Sequence, residues 1–162
     1  MRKLLLLLLV VVLAAGCANE PGINEDKENV PDTKAPGFAY EDLSGEMWSL
    51  EELQGEVVVL YFWTGSCRVC VSKLPDLAVL QEQLPEDVHL LMLNANDSKG
   101  RIQNLIGDAR LTVLMNAMDS FNDYAIAYVP TTVFIDKEGR VDQVYVGLLA
   151  NENTLAIIEN LR

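Results

Sequence analysis

The sequence has few basic residues, few metal-ligating side chains and no apolar run long enough to span a membrane as a helix. Its 12 lysines and arginines stand against 24 aspartates and glutamates, which gives a net charge of −12. The basic patch that nucleic-acid phosphates require is missing, and this excludes nucleic acid as a partner. The chain has one histidine, His89, and three cysteines, so it offers few nitrogen and sulfur ligands for a metal site.

The longest apolar run, Leu4 to Ala15, has 12 residues, whereas a membrane-spanning helix needs about twenty. The run follows Arg2 and Lys3 and ends at small residues, which is the layout of a secretory signal peptide. A short transmembrane anchor is the competing interpretation. The sequence therefore predicts export, with a signal peptide over residues 1–16.

Cys17 directly follows this segment. The residues Leu13-Ala14-Ala15-Gly16-Cys17 resemble the bacterial lipobox, whose cysteine is lipidated and becomes the mature N-terminus, although Ala14 stands where leucine is more common. The resemblance implies a lipoprotein outside the cytoplasm, anchored through Cys17 to a bacterial membrane, on the outer face of the cytoplasmic membrane or on the periplasmic side. Several acyl chains on one residue anchor a protein firmly, whereas one chain binds reversibly.

Residues 17–35 are predicted to be the lipidated cysteine and a flexible tether. From Ala18 to Ala35 the segment is rich in Asn, Glu, Asp, Pro and Lys, and its only large apolar residues are Ile23 and Val30. Such a segment buries too little apolar surface to fold. The folded part is predicted to cover residues 36–162, which is about the size of one domain.

Within that domain, apolar strands alternate with helical patterns. The run Val57–Trp63 is apolar and β-branched without alternation, which is typical of a strand buried on both faces in a sheet covered by helices. Ser44-Gly45 and the segment 136–140 are turn signals, and each predicts a hairpin. The order of elements predicts an α/β fold with a central mixed β-sheet flanked by helices and an N-terminal β-hairpin.

The predicted strands cover 38–42, 46–49, 57–63, 88–93, 111–115, 132–135 and 141–146. Helices are predicted from 68 to 84 with a kink at Pro75, from a cap at Asp97 or Ser98 to 106, and through Phe121 to Ala127. A last helix, capped by Asn151 or Asn153, is predicted to end at Leu161.

The chemistry is predicted to reside in Cys67-Arg68-Val69-Cys70, a CxxC motif directly after a buried strand and at the start of a helix. A thiolate is the reactive form of cysteine, and the partial positive charge of a helix N-terminus favours it. Cys67 lies at that end and Cys70 one turn further in. We therefore expect Cys67 to be the nucleophile and Cys70 the resolving thiol of a redox pair.

Two other interpretations of the motif remain open. A structural disulfide is possible in an exported protein, although a bridge that closes so short a loop constrains the unfolded chain little. A zinc site would need two more ligands, and the chain offers only His89 and Cys17. The redox interpretation is favoured, with no metal and no diffusible cofactor.

The motifs, taken in order, resemble the TlpA/ResA branch of thioredoxin-like proteins over residues 35–162. The segments that carry the resemblance are Ala35-Pro36-Gly37-Phe38, Leu50–Gly55, Tyr61–Cys70, Leu74-Pro75 and Val129–Arg140. It implies a thioredoxin fold that exchanges disulfides with protein thiols outside the cytoplasm and is recycled by a redox partner. The protein is expected to be a monomer. It also favours a reductase, for example one that prepares thiols for cytochrome c maturation.

The resemblance implies a substrate-binding surface opposite the cysteines. The family's proline at the position of Pro130 is cis and faces the cysteine pair, and it leaves the backbone of Val129 free to bind a substrate segment as an added strand. A proline at the start of a strand is the plainer interpretation. Trp63 is assigned to the same surface, although Trp63 and Trp48 are also expected to pack in the core, as large aromatic side chains usually do.

Three residues depart from the family pattern. Ser66 stands where tryptophan usually precedes the first cysteine, Lys73 replaces a glutamate, and Tyr61 replaces the buried acid of thioredoxins themselves. Because a nearby cation lowers the pKa of a thiol and a carboxylate raises it, Lys73 and Arg68 are candidates for tuning the pKa of Cys67. The alternative for Lys73 is an exposed side chain that points into water.

A second class of function is a non-catalytic binding module. Copper-handling relatives of this fold use two cysteines and a distant histidine, so Cys67, Cys70 and His89 would bind copper, or a partner would dock on the Pro130 surface. Those relatives usually space their cysteines as CxxxC and place the histidine elsewhere, so this remains a motif-level analogy.

Overall fold

The computed structural model describes residues 33–162. Its elements, in chain order, are β1 (Ala39–Glu41), β2 (Met47–Ser49), β3 (Val57–Trp63), α1 (Arg68–Gln83), β4 (Val88–Asn94), α2 (Lys99–Ile106), β5 (Thr112–Leu114), α3 (Met118–Asp123), β6 (Thr131–Ile135), β7 (Val141–Val146) and α4 (Asn151–Leu161). The signal peptide over 1–16, the lipidation at Cys17 and most of the tether are predictions that lie outside the described residues.

A five-stranded mixed sheet in the order β5-β4-β3-β6-β7 forms the centre of the fold. β3 pairs parallel to β4 and antiparallel to β6, and all seven of its residues are buried. Its odd-numbered side chains pack against α1, α2 and α4, and its even-numbered side chains pack on the other face with the N-terminal segment and α3. The unbroken apolar run thus reflects two covered faces, and the predicted fold class is confirmed.

The N-terminal hairpin closes one edge of this sheet. β1 and β2 pair antiparallel, with Tyr40 opposite Trp48. The amide of Met115 donates to the carbonyl of Glu41 at 3.1 Å, beside an isolated bridge between Asp42 and Leu114. The hairpin therefore covers the edge of β5, where unpaired backbone groups would otherwise remain.

Two helices differ from their predicted bounds. α3 ends at Asp123 rather than reaching Ala127, because Ala125 has a φ of 51° in the left-handed region and the amide of Ile126 returns to the carbonyl of Phe121 at 2.8 Å. α4 begins at Asn151, but its N-cap is Ala150 and no side chain makes a capping hydrogen bond. The side chain of Asn151 instead contacts α1.

The folded part includes residues that were predicted to belong to the tether. The carbonyl of Thr33 accepts the amide of Val141 at 3.0 Å, and the amide of Ala35 donates to Gly139 at 2.9 Å. Ala35 is buried. Residues 33–35 thus pair with the β6–β7 hairpin, and the predicted boundary at 36 is too late by at least three residues. Within residues 33–162, no helix has the length and apolar character needed to cross a membrane.

Candidate active site

Cys67 and Cys70 form a disulfide at the junction between β3 and α1, with their Cα atoms 5.2 Å apart. Cys67 is partly exposed, whereas Cys70 is completely buried. Only one of the two sulfurs can therefore be approached by another protein. The roles of attacking thiol for Cys67 and resolving thiol for Cys70 stay predictions.

Cys67 is the N-cap of α1. Its sulfur accepts the backbone N–H of Cys70 at 3.1 Å, and the amide of Val71 bonds to the Cys67 carbonyl at 3.0 Å. In the reduced state, a thiolate at this position keeps an N–H donor and the positive end of the helix dipole. The helix terminus thus favours ionisation of Cys67.

The peptide bond between Val129 and Pro130 is cis, and it lies against the cysteines. The sulfur of Cys67 is 3.7 Å from the carbonyl oxygen of Val129. Two hydrogen bonds hold this loop: the Thr131 hydroxyl donates to the Tyr128 carbonyl at 2.8 Å, and the Gly147 amide donates to the Pro130 carbonyl at 2.8 Å. Pro130 is buried and Val129 is half-buried.

Tyr61 lies beneath the pair. Its hydroxyl is 3.5 Å from the carbonyl oxygen of Cys70, and burial raises the pKa of Tyr61 above its ordinary value. The phenol therefore stays protonated over the physiological range. At the position where thioredoxins themselves carry an acid, this site has a neutral hydroxyl.

Lys73 is buried, which contradicts the alternative interpretation that it points into water. Its side chain is 10% exposed, and its ammonium lies 3.2 Å from Asp76 Oδ2 and 3.0 Å from Asn151 Oδ1. The side-chain amide of Asn151 also donates to the Asp76 carbonyl at 2.7 Å. These three residues join α1 to α4. Arg68 is exposed in the first turn of α1, and pKa tuning by Lys73 or Arg68 stays a prediction.

Trp63 does not belong to the exposed surface around Cys67. It is fully buried and packs in the core on the face of the sheet that α1 covers. Both faces of β3 are covered, so a side chain at its last position is buried on either face. Sequence reasoning overlooked three exposed apolar side chains: Val69 between the two cysteines, Tyr128 directly before Val129, and Leu148 directly after Gly147. Tyr128 could have been found from its place directly before Val129.

His89 is far from the cysteines along the sheet. It pairs in register with Val58, five residues before the end of β3, so a strand length of about 17 Å separates it from the CxxC loop. Its Nε2 atom forms a hydrogen bond with Glu56 Oε2, and its ring packs edge-on against Trp48. A copper site made by His89 and both cysteines is therefore wrong for this fold.

Comparison with known proteins places this geometry in a family. The AhpC/TSA family matches residues 31–144. The chain belongs to the AhpC/TSA family. The chain is similar to the thioredoxin-like protein YneN of Bacillus subtilis (strain 168), with 28% identity over 138 residues, 82% of this chain and 78% of YneN. It is also similar to the thiol-disulfide oxidoreductase ResA of Halalkalibacterium halodurans, with 28% identity over 133 residues, 80% of this chain and 76% of that protein.

Solved structures agree with the fold. The exposed lipoprotein thioredoxin Etrx1 of Streptococcus pneumoniae strain TIGR4 superposes with a TM-score of 0.70 at 24% identity, over 78% of this chain and 100% of the other. A putative thioredoxin from Neisseria meningitidis superposes with a TM-score of 0.68 at 27% identity, over 80% of this chain and 91% of the other. The thioredoxin-like fold and the CxxC disulfide agree with the enzyme class predicted from the sequence, a thiol-disulfide oxidoreductase.

Proposed function

We propose that this protein is a thiol-disulfide oxidoreductase of the TlpA/ResA type that exchanges disulfides with protein cysteines outside the cytoplasm. One observation carries the proposal: a disulfide between Cys67 and the buried Cys70 stands at a helix N-terminus and against the Val129 carbonyl. A structural bridge does not require a partly exposed cysteine beside the backbone carbonyl of another loop. The names of the relatives, ResA among them, support the same activity.

The exchange proceeds through a mixed disulfide. In the reducing direction, the Cys67 thiolate attacks one sulfur of a partner disulfide, a Cys67–partner bond forms, and the other partner sulfur leaves as a thiolate. The Cys70 thiol then loses its proton and attacks the Cys67 sulfur, which releases the second partner thiolate. The partner gains two electrons, and Cys67 and Cys70 end as the disulfide. The oxidising direction is the reverse.

The partner segment is proposed to bind across the Val129 loop. The backbone of Val129 can pair with an extended segment as an added strand would, which holds the partner cysteine beside Cys67. Val69 in the first turn of α1, Tyr128 directly before Val129 and Leu148 directly after Gly147 are 48%, 72% and 50% exposed. Partner segments with apolar side chains beside their cysteine are therefore favoured.

The proposals on membrane anchoring, oligomeric state and physiological role come from the sequence. A signal peptide and lipid on Cys17 would hold the enzyme on a bacterial membrane, outside the cytoplasm, as a monomer. The resemblance favours a reductase, of the kind that prepares thiols for cytochrome c maturation, recycled by a second redox protein. The lysine at position 73 weakens that inheritance, because the family commonly has a glutamate there.

Trapping the mixed disulfide tests the activity. In Cys70→Ser, the resolving thiol is missing, so Cys67 is expected to accumulate disulfide adducts with its physiological partners, which mass spectrometry identifies. Cys67→Ser is the matched control and is expected to collect few adducts, since Cys70 is buried. The absence of adducts in Cys70→Ser, together with a wild-type pair that does not equilibrate with glutathione, would refute the proposal.

The direction of electron flow follows from the equilibrium potential. Equilibration of the pair in glutathione buffers is expected to give a value below about −250 mV for a reductant, whereas about −120 mV is typical of an oxidant. Radiolabelled fatty acid incorporated into the wild type but not into Cys17→Ser would establish the anchor.

A further inference from the structure

The Gly65 loop, residues 64–66, leads from β3 to Cys67 and is hydrogen-bonded to one side chain of α2 and to one just before it. The backbone N–H of Gly65 donates to Asp97 Oδ2 at 2.5 Å, and the Gly65 carbonyl accepts from Arg101 Nη2 at 3.0 Å. Both backbone polar groups of one residue are thus bonded to side chains that are more than thirty positions away. Gly65 lies two residues before the attacking cysteine.

The two side chains that bind Gly65 are themselves bonded to each other and to the sheet. Arg101 Nε lies 2.9 Å from Asp97 Oδ1. Asn94, the last residue of β4 and fully buried, donates to Asp97 Oδ2 at 3.0 Å and accepts the Asp97 amide at 2.9 Å. The carboxylate of Asp97 therefore has a position set by β4, and Arg101 connects it to the loop.

Side chains of α2 and Asp97 approach position 65 closely, where glycine has no side chain. A Cβ atom there would lie 2.7 Å from Arg101 Nε, 2.9 Å from Leu105 Cδ1 and 3.0 Å from Asp97 Oδ1. These distances are shorter than normal van der Waals contacts, so a side chain at position 65 would displace the side chains that contact Gly65. The missing side chain and the two hydrogen bonds act together to keep the loop in place.

The loop in turn determines where the Cys67 sulfur lies. The Cys67 amide bonds to the Thr64 carbonyl at 3.2 Å, and the hydroxyls of Thr64 and Ser66 are 3.1 Å apart. This turn passes any displacement of Gly65 on to Cys67, whose sulfur is in contact with Val129. A reacting sulfur that moves by about 1 Å can lose on the order of 100-fold in rate.

We propose that Asp97 and Arg101 are positioning residues for disulfide exchange: together they hold the Gly65 loop on α2 and thereby place the Cys67 sulfur at the helix N-terminus and beside Val129. The proposal deepens the proposed function and rests on it. Neither side chain touches the reacting sulfurs, so their effect passes through the loop. Arg101 is 52% exposed, so its replacement leaves the core intact.

Three variants test the positioning role. Arg101→Ala removes the hydrogen bond to the Gly65 carbonyl and the ion pair with Asp97. Arg101→Lys keeps the positive charge but cannot bond to both groups through a planar guanidinium. Lys99→Ala removes an exposed cation from the same helix and is the matched control. The reduced proteins react in single turnover with insulin disulfides. Separately, in the Cys70→Ser background, Cys67 is alkylated by iodoacetamide across a range of pH, which requires no protein substrate.

Arg101→Ala is expected to react with insulin about tenfold more slowly. Its alkylation midpoint is expected to move to higher pH, because the displaced loop moves the Cys67 sulfur away from the Cys70 N–H at the helix N-terminus. Arg101→Lys is expected to stay at least threefold slow, and Lys99→Ala to stay within twofold of the wild type. The oxidised variants are expected to unfold at temperatures within a few degrees of the wild type.

Three results would overturn the positioning role: an Arg101→Ala protein within twofold of the wild type in both assays, an equal effect in Lys99→Ala, or full recovery in Arg101→Lys, which would assign the effect to charge alone. A wild type that fails to reduce or oxidise insulin counts against the proposed function instead, and the alkylation profile still decides the positioning.

Discussion

The sulfur of Cys67 lies 3.7 Å from the carbonyl oxygen of Val129, which is 62 positions later in the chain. This contact joins the helix terminus that activates the thiol to the loop that can bind an extended partner. Cys67 is partly exposed at that meeting point, and its disulfide partner Cys70 is fully buried. Reaction with a protein and resolution by the second cysteine can therefore follow each other without any rearrangement of the core.

Replacement of Tyr128 by alanine is expected to weaken binding of protein substrates. Tyr128 is 72% exposed directly before Val129, and loss of a large aromatic contact at an interface commonly costs more than about 1 kcal/mol, or roughly fivefold in affinity. We expect KM for insulin to rise about fivefold with kcat nearly unchanged. Steady-state turnover measures both constants.

Met47→Ala is the control for Tyr128→Ala, because Met47 is also an exposed apolar residue, at 54%, but lies on the hairpin. The alkylation rate of Cys67 should be the same in both variants. An equal rise of KM in Met47→Ala, or no rise in Tyr128→Ala, would remove Tyr128 from the substrate surface.

Lys73 and Arg68 are expected to lower the pKa of the Cys67 thiol. A pKa of about 6.5 in place of about 8.5 would raise the thiolate fraction at pH 7 from roughly 3% to 75%. Replacing either cation by methionine is expected to raise that pKa by up to about one unit. The effect of Lys73 should be the smaller of the two, because Asp76 lies against its ammonium.

Absorbance titration of the thiolate measures the pKa of Cys67 in the wild type and in both methionine variants. Lys99→Met, on α2, provides a cation control away from α1. A wild-type Cys67 that titrates near its unperturbed value of about 8.5 would show that the two cations do not tune the thiol.

Asn151→Ala is expected to destabilise the fold, although Asn151 caps no helix. Its side chain accepts from Lys73 at 3.0 Å and donates to the Asp76 carbonyl at 2.7 Å. Loss of these bonds leaves the ammonium of buried Lys73 with one partner fewer, and we expect a decrease of about 1–3 kcal/mol in the free energy of unfolding.

Urea denaturation measures the stability of Asn151→Ala against that of Asn153→Ala. Asn153 is exposed in the first turn of the same helix, so its replacement should change the unfolding free energy by less than about 0.5 kcal/mol. Equal losses in the two variants would show that the junction between α1 and α4 contributes nothing beyond the helix itself.

Asp42 is expected to make the hairpin sensitive to acid. Partial burial raises the pKa of its carboxyl, but hydrogen bonds from Ser44 and from the Glu46 amide outweigh it, and the pKa lies below the ordinary value of 3.8. The folded state therefore favours the charged carboxylate. Its stabilisation is fully present above pH 3.8 and is lost as the pH falls through the lower, folded-state pKa.

Asp42→Asn is accordingly expected to be less stable than the wild type at pH 7, by about 0.5–1.5 kcal/mol. The difference should shrink at a pH below the folded-state pKa of Asp42. Thermal unfolding at both pH values measures this, and Glu46→Gln serves as the control because only the backbone of Glu46 takes part. A difference that is independent of pH would contradict the role of the carboxylate.

The secondary structure was predictable where the pattern is local. The run Val57–Trp63 indicated a strand buried on both faces, and the β6–β7 turn indicated a hairpin, because side-chain periodicity and turn chemistry act over a few residues. The helix bounds failed where tertiary contacts compete. Asn151 has the chemistry of a cap, but it binds Lys73 instead.

The sequence by itself determined the CxxC motif at a strand–helix junction, since strand, turn and helix are local features that place Cys67 at a helix N-terminus wherever they occur. Only the tertiary structure decided what surrounds that sulfur. Three features depend on how distant elements pack: the contact with the Val129 carbonyl, the hydrogen bonds of Asp97 and Arg101 to Gly65, and the burial of Trp63. Packing of this kind depends on the shape and volume of the whole core, and a short stretch of sequence does not determine it.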